Sequence, residues 1–574
     1  MASSHHLVAH LGTLAPVVEQ ALQQLRDQRV VARLWERDHR LWKPEPTEIA
    51  NRLGWLTLVE QPVLDQSQLN ALRAHVRQER IRDVVLLGMG GSSLGPEVLR
   101  LTFGSRAGAP RLWVLDTTVP ATVRAVSRAI RPAKTLFLVA SKSGGTIEVM
   151  SLLAHFEALI RSTKGNRGGA QFVAITDPDT GLADLAREKG FLRTFVNPPD
   201  IGGRYSVLSY FGMVPAALIG IDALRLSARA GEMGLACRET EQLEHNPGAY
   251  LGAVLGALAR ARRDKVTLLT SPAIRSYGLW AEQLLAESTG KEGTGLIPVA
   301  QEPPVAPRLY GSDRVFVSLR LKGDANTAFD RQVAQLRASG HPLIELTMRD
   351  RYDLGAEFFR WEFATAVAGH LLRIHPFDQP NVQESKDNTG RILTDRQTTG
   401  RLPDVDAVTP KQALPRLLAD CPPGSYLAIL AYLHPTKQTD AAIRRLRAQL
   451  VTHLHLATTA GYGPRYLHST GQAHKGGPAT GYFLQLVESP KPDVPIPGKP
   501  FTFGTLARAQ AIGDMQAFTS RTRPIVQVQV GASPTAAFHA MEQSIRAFTK
   551  SPATRTATPS RASRSTRKAK ASRR

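Results

Sequence analysis

Thr135-Leu-Phe-Leu-Val-Ala-Ser-Lys-Ser-Gly-Gly-Thr-Ile-Glu148 opens as a short apolar run and closes as the start of a helix. Six consecutive residues, Thr135 to Ala140, suit a strand buried on both faces. They empty into the small-residue loop Ser141–Thr146, and Glu148-Val-Met-Ser-Leu-Leu-Ala-His-Phe156 then reads as helical. Such a turn suits a phosphate. N–H groups at a helix start have no intrahelical partner, and the helix dipole favours negative charge there. Ser141, Ser143 and Thr146 add hydroxyl donors, Lys142 adds charge, and Gly144 and Gly145 let the main chain approach closely. Gly88-Met-Gly-Gly-Ser-Ser-Leu-Gly95, with Gly91 and Ser92 at its centre, repeats the arrangement loosely after the apolar run Asp83–Leu87. Two such loops place a phosphorylated ligand across the C-terminal edge of one parallel sheet. The P-loop pattern Gly-x-x-x-x-Gly-Lys-Ser/Thr is absent, and the glycine spacing after residue 88 does not match a dinucleotide fingerprint.

On either side, apolar runs alternate with helical patterns. Strands are expected near Val84–Leu87, Leu112–Leu115, Leu136–Val139, Phe172–Thr176 and Thr194–Val196. That alternation predicts a doubly wound parallel sheet. Further runs at Val266–Leu269, Val315–Leu319, Leu343–Thr347, Leu427–Tyr432, Leu454–Thr458, Tyr482–Val487 and Ile525–Val530 predict a second α/β domain, interrupted by helices around Glu357–Leu372. The expected organisation is a helical N-terminal region at 1–80, a first domain at 81–235, a second at 236–547 and a basic tail at 548–574.

The 574 residues are 42% hydrophobic and 21% charged, as in an ordinary globular enzyme. The net charge of +23 is partly a tail effect, because residues 551–574 hold eight Lys or Arg and no acid. That tail lacks apolar periodicity and is expected to be disordered, with loose affinity for polyanions. No run of apolar residues is long enough for a membrane span, and Met1-Ala-Ser-Ser-His-His does not read as a secretory leader. Two cysteines, Cys237 and Cys421, suit a reducing cytoplasm. Neither a cysteine cluster nor His-Glu-x-x-His occurs, so the sequence gives a metal site no support.

Four more segments carry reactive groups. In Gly202-Gly-Arg-Tyr-Ser206, Arg204 can reach a cleft while Gly203 brings backbone close to a ligand. In Trp280-Ala-Glu-Gln-Leu-Leu-Ala-Glu-Ser-Thr-Gly-Lys291, Gln283 and Glu287 share a helix face. Read locally, an exposed Glu287–Lys291 pair worth roughly 0.2–0.5 kcal/mol explains the same spacing. In His375-Pro-Phe-Asp-Gln-Pro-Asn-Val-Gln-Glu-Ser-Lys386, Pro380 suits the first helical position with Gln379 as its cap, and Lys386 lies on the face below Gln379. Tyr466-Leu-His-Ser-Thr-Gly-Gln-Ala-His-Lys-Gly-Gly-Pro478 holds two histidines, His468 and His474, in a glycine-rich loop.

Together these segments resemble the phosphoglucose isomerase family, built from two sugar-isomerase domains. The resemblance covers about residues 35 to 545. Asp38-His-Arg-Leu-Trp-Lys-Pro-Glu-Pro46 and the His468–Gly477 segment are most similar to the isomerase half of bacterial transaldolase–isomerase fusions. Only about 80 residues precede the first domain, so the isomerase activity alone is expected. The resemblance implies a cofactor-free interconversion of glucose 6-phosphate and fructose 6-phosphate through a cis-enediol, a step of glycolysis and gluconeogenesis. It implies phosphate contacts from Ser141, Lys142, Ser143 and Thr146, and sugar contacts from Gly91, Ser92, Glu148, Gly203, Gln283 and Gln379. Glu287 would move the proton between C2 and C1, Arg204 would stabilise the enediolate, and a histidine near Lys386 would open the ring.

The chain departs from the family at Ser93, at Gly144–Gly145 and at Val149. No histidine motif lies between Glu287 and Gln379, where most members carry the ring opener. His474 is the expected substitute and His468 the alternative. In the family this histidine comes from a neighbouring subunit, which implies a homodimer. Two rivals are an isomerase for another sugar phosphate and a non-catalytic sugar-phosphate sensor. Glutamine-coupled amino-sugar enzymes carry an N-terminal cysteine nucleophile that this sequence lacks, and a sensor would have no need to keep Glu287 and Arg204.

Overall fold

The computed structural model describes residues 7–488, 492–531 and 534–550. Among the described residues there are three five-stranded sheets, and helices cover them. In spatial order the first runs Arg111–Leu115, Asp83–Leu87, Thr135–Ala140, Phe172–Thr176 and Arg193–Val196, all parallel. In the second, Leu343–Met348, Arg314–Leu321, Lys265–Thr270 and Ile297–Ala300 are parallel, and Leu7–His10 adds an antiparallel edge. The third runs Ala407–Val408, Ile525–Gln529, Gly481–Val487, Tyr426–Tyr432 and Ala457–Tyr462, again all parallel.

The expected second domain at 236–547 therefore contains two separate sheets. Apolar runs announce strands, but they do not say which strands pair. The N-terminal region is also not wholly helical, because Leu7–His10 pairs with Leu343–Met348. Ile297–Ala300 is not evident from the sequence because it is short and contains Pro298, which an edge strand tolerates. The strand expected at Leu454–Thr458 begins at Ala457, because Leu454 completes the helix Lys437–Leu454 and His455 ends it in the left-handed conformation. The last helix, Pro534–Lys550, runs into the region expected to be tail. The rest of that tail, 551–574, lies outside the described residues. Among the described residues no helix is long and apolar enough to cross a membrane.

The first sheet is buried on both faces, and each face meets a different core. Val84, Leu86, Leu136 and Leu138 join the core that continues into the second sheet's layer. Their alternates Val85, Leu87, Phe137 and Val139 join Ile392, Phe503, Leu506 and Ile512 from helices that flank the third sheet. A strand's period of two thus fastens both other units to the first sheet. Each such apolar side chain contributes about 1.5–3 kcal/mol on burial. The helix Leu354–Leu372 is buried along nearly its whole length and packs on Pro247–Arg260. The helix Phe503–Thr519 packs on Pro380–Thr399, where a Cβ at Gly513 would come 2.9 Å from the Thr389 backbone nitrogen.

Candidate active site

The segments singled out in the sequence converge beyond the C-terminal ends of strands from all three sheets. Helix Tyr277–Thr289 presents Gln283 and Glu287 on one face, and Gln283 Nε2 donates to Glu287 Oε2 at 3.0 Å. The other Glu287 oxygen lies 3.5 Å from Arg204 Nη1. Arg204 is 3% exposed and held at every nitrogen. Nε donates to Ser288 Oγ at 2.9 Å, Nη1 to Gln379 Oε1 at 2.9 Å, and Nη2 to the carbonyls of Pro376 and Asp378 at 2.9 and 3.0 Å. Its position is fixed before any ligand arrives.

Gln379 does sit at the N-cap of Pro380–Thr399, with Pro380 in the first turn, but its side chain does not cap the helix. It accepts from Arg204 instead. The local Glu287–Lys291 pair does not form, because the helix ends at Thr289. Lys291 is buried and donates to Asp378 through Oδ1 and the carbonyl, both at 2.6 Å. Burial and the nearby Arg204 charge lower its pKa to about 8. Lys386 is exposed on the same helix as Asn381 and makes no hydrogen bond among the described residues, but its charge reaches Glu148.

The two glycine loops flank this cluster. Gly91 allows contact with the Arg204 turn, since a Cβ there would fall 1.9 Å from the Gly203 carbonyl oxygen. Gly203 itself faces open space. Ser92 is buried in the short turn Gly90–Ser92. In the second loop Gly144 has φ +71°, and a Cβ would clash with Thr180 at 2.8 Å. Ser141 Oγ and Thr146 Oγ1 lie 3.0 Å apart, while Ser143 and Gly145 are exposed. Thr146 occupies the N-cap of Ile147–Lys164 without a side-chain cap bond, which leaves the helix start to an anion. Lys142 turns away from the loop. It pairs with Asp177 and donates to the Pro199 carbonyl at 3.0 Å.

Glu148, in the first turn of that helix, is 2% exposed. Its Oε1 receives His468 Nε2 at 2.9 Å and Gln510 Nε2 at 2.7 Å. Burial alone would raise its pKa. The His468 charge and hydrogen bond, with Lys386 further off, outweigh burial and leave it below the usual carboxylate range. Thr118 Oγ1 donates to Gln510 Oε1 at 2.7 Å, which fixes that amide. The His468 carbonyl accepts from Gln283 at 2.8 Å, so the histidine is tied to the Glu287 face as well. Gln283 Oε1 is buried without a protein partner.

His474 stands apart. It is enclosed by Tyr426 and Phe483, with Nδ1 3.0 Å from the Tyr426 hydroxyl. Burial, with Lys475 and Arg523 nearby, lowers its pKa to about 3. The ring is enclosed between Tyr426 and Phe483, while His468 is the histidine that meets Glu148, so the geometry does not favour the expectation placed on His474. The sequence missed Gln510 and Thr118, which lie far along the chain in unremarkable segments.

Comparison with known proteins places the chain in a family. A family model, Phosphoglucose isomerase, matches residues 73–294. A glucose-6-phosphate isomerase of Rubrobacter xylanophilus is 31% identical over 362 residues, covering 54% of this chain and 82% of that protein. The chain belongs to the phosphoglucose isomerase family. Another glucose-6-phosphate isomerase, from Carboxydothermus hydrogenoformans, is 29% identical over 398 residues, 59% of this chain and 85% of that protein. Among solved structures, a hypothetical protein of Thermus thermophilus superposes with a TM-score of 0.56 at 24% identity, covering 69% of this chain and 100% of that one. A glucose-6-phosphate isomerase of Chlamydia trachomatis gives 0.53 at 19% identity, covering 66% and 86%. Both show the same fold.

Proposed function

We propose that this chain interconverts glucose 6-phosphate and fructose 6-phosphate, and that Glu287, Arg204 and His468 carry the chemistry. The observation that supports this most is the placement of the Glu287 carboxylate. It lies 3.5 Å from a fully anchored guanidinium and is joined through Gln283 to the histidine. The phosphate binds at the Ser141–Thr146 helix start, with the sugar laid over Gly91, Ser92 and Gly203. His468, oriented by Glu148, takes the O1 proton and supplies one to O5. The C1–O5 bond breaks as the C1 carbonyl forms, and Lys386 supports the charge on O5. Glu287 then removes the C2 proton. The C1=C2 bond forms, and negative charge builds on O1 within reach of Arg204. Glu287 returns the proton to C1, the O2 proton passes to O1, and the ketose results. The preset cation stabilises the enediolate without reorganisation at the moment of reaction. The partnerless Gln283 Oε1 is placed to accept a sugar hydroxyl. A coupled assay of the purified chain with fructose 6-phosphate tests the reading. No glucose 6-phosphate formation would sink it.

The phosphate loop should act through binding. Ser143→Ala combined with Thr146→Ala removes donors used in ground and transition states alike. KM should rise about 10–100-fold while kcat changes far less. A collapsed kcat at unchanged KM would move the loop into the chemistry.

The family's habit of taking its histidine from a neighbour predicts a homodimer. Here His468 reaches Glu148 within one chain, so in the proposed scheme the histidine is not drawn from a neighbour. Specific activity should stay constant as the enzyme is diluted from micromolar to low nanomolar. A fall below a threshold concentration would restore the dimer. Cys237 and Cys421 are both free thiols, which fits a reducing cytoplasm.

A further inference from the structure

Behind the site, on the far side of the turn Arg465–His468, two cavities of about 740 and 820 Å³ meet where all three sheets adjoin. They share Arg275, Gln301 and Arg444 as lining. None of Glu287, Arg204, Gln283, Gln379, Glu148 or His468 lines either cavity. Arg275, Arg331 and Arg444 are exposed, and among the described residues their guanidinium groups have no hydrogen-bond or ion-pair partner. The carboxylates of the same walls are already engaged. Glu97 takes two bonds from Arg100 at 2.7 and 2.8 Å. Asp116 accepts from Ser93 at 3.1 Å and faces Arg465 at 3.6 Å. Asp440 accepts from the Tyr462 hydroxyl at 2.6 Å, and Glu302 pairs with Arg314 at 2.9 Å. Glu282 is buried, burial raises its pKa to about 7, and its Oε1 accepts from the Ala300 N–H at 3.3 Å.

The waist between the cavities is rigid. Arg447, one turn beyond Arg444, is buried and donates to the Ala300 carbonyl at 2.9 Å and the Thr458 carbonyl at 2.6 Å. That clamps the helix Lys437–Leu454 to the loop holding Gln301. Free guanidinium groups on a concave wall concentrate anions, and their planar forks match phosphate oxygens in pairs. The opening beside Arg275 also offers an apolar wall of Leu101, Leu279, Leu433 and Ile443. We infer that this cleft is a second ligand site, for a small molecule that carries two or more phosphate groups. The phosphates bridge Arg275 and Arg444 at the waist, with Arg331 on the adjoining wall, and any organic portion lies on the apolar side. The inference does not rest on the isomerase reading.

Titration calorimetry on the full-length protein tests it, with sodium tripolyphosphate and a nucleoside triphosphate as separate probes at matched ionic strength. Three full-length proteins are compared: wild type, Arg275→Ser/Arg444→Ser, and the phosphate-loop variant Ser143→Ala/Thr146→Ala. The basic tail is identical in all three, so its contribution cancels. Wild type and the loop variant should bind at least one probe with one-to-one stoichiometry. The double arginine variant should bind at least tenfold more weakly at unchanged melting temperature. Equal affinity for the two probes assigns the site to the polyphosphate portion alone, and tighter nucleotide binding assigns the apolar wall to an organic portion. Arg444→Glu, a single exposed change, should weaken binding in the same direction. The inference is overturned if neither probe binds wild type, if the arginine variants bind like wild type, or if binding disappears with the loop variant.

Discussion

Glu287→Gln is expected to lower kcat by at least about 10³-fold, with a much smaller change in KM. Glutamine preserves shape and can still accept from Gln283, so the helix face should stay intact. What disappears is the basic oxygen facing Arg204 at 3.5 Å. No other carboxylate in the cluster is free for the task, because Glu148 is committed to His468 and Gln510. Loss of transition-state interaction without loss of ground-state binding lowers kcat and kcat/KM together. Solvent exchange at C2 of the bound ketose should fall in parallel. A variant that keeps more than roughly a tenth of wild-type turnover would falsify the assignment of Glu287 as the base.

The second large effect separates the two histidines. His468→Gln should slow turnover of cyclic glucose 6-phosphate by about 10²–10⁴-fold. Its amide can still donate to Glu148, so the buried carboxylate keeps a partner, yet it cannot carry a proton. An open-chain phosphorylated analogue should be largely spared, because in the proposed scheme Glu287 performs the C2–C1 transfer alone. His474→Ala should behave in the opposite way. It empties a space between Tyr426 and Phe483 and orphans a buried hydroxyl, which costs about 1–3 kcal/mol of stability. Turnover per folded molecule should stay near wild type. Comparing kcat on both substrates with melting temperature decides the matter. A greater catalytic loss on the cyclic sugar for His474→Ala would return ring opening to that residue.

The sequence carried a good part of this arrangement, for identifiable reasons. The loops at 88–95 and 141–148 were legible because strand, small-residue turn and helix start are contiguous. Gln283 and Glu287 were legible because one helical turn separates them. The two histidines lie only six residues apart, and spacing does not reveal their directions. A short turn ends at His468 and a one-turn helix begins at Gly471, so one ring points to Glu148 and the other into the third sheet's core. Lys291 looked like a local helix partner, but the chain leaves the helix and folds it onto Asp378. Gln510 could not be read at all. Its role depends on a helix brought from 362 residues away to Glu148. The third sheet was hidden for the same reason, since periodicity reports burial and says nothing of partners.

One buried pair constrains how the molecule can move. Lys475 and Asp514 meet at 2.7 Å with both side chains fully enclosed. Asp514 also accepts from Ser385 at 3.0 Å and from Tyr466 at 2.8 Å. These bonds latch the helix bearing Lys386 to the turn bearing His468. Parting them strands a charge without its partner, at a cost of about 3–5 kcal/mol. A form with this side swung open would then be populated below roughly one molecule in a hundred. Ser143 and Gly145, in the loop after the strand Thr135–Ala140, are exposed by contrast. The histidine side is therefore a fixed wall of the site.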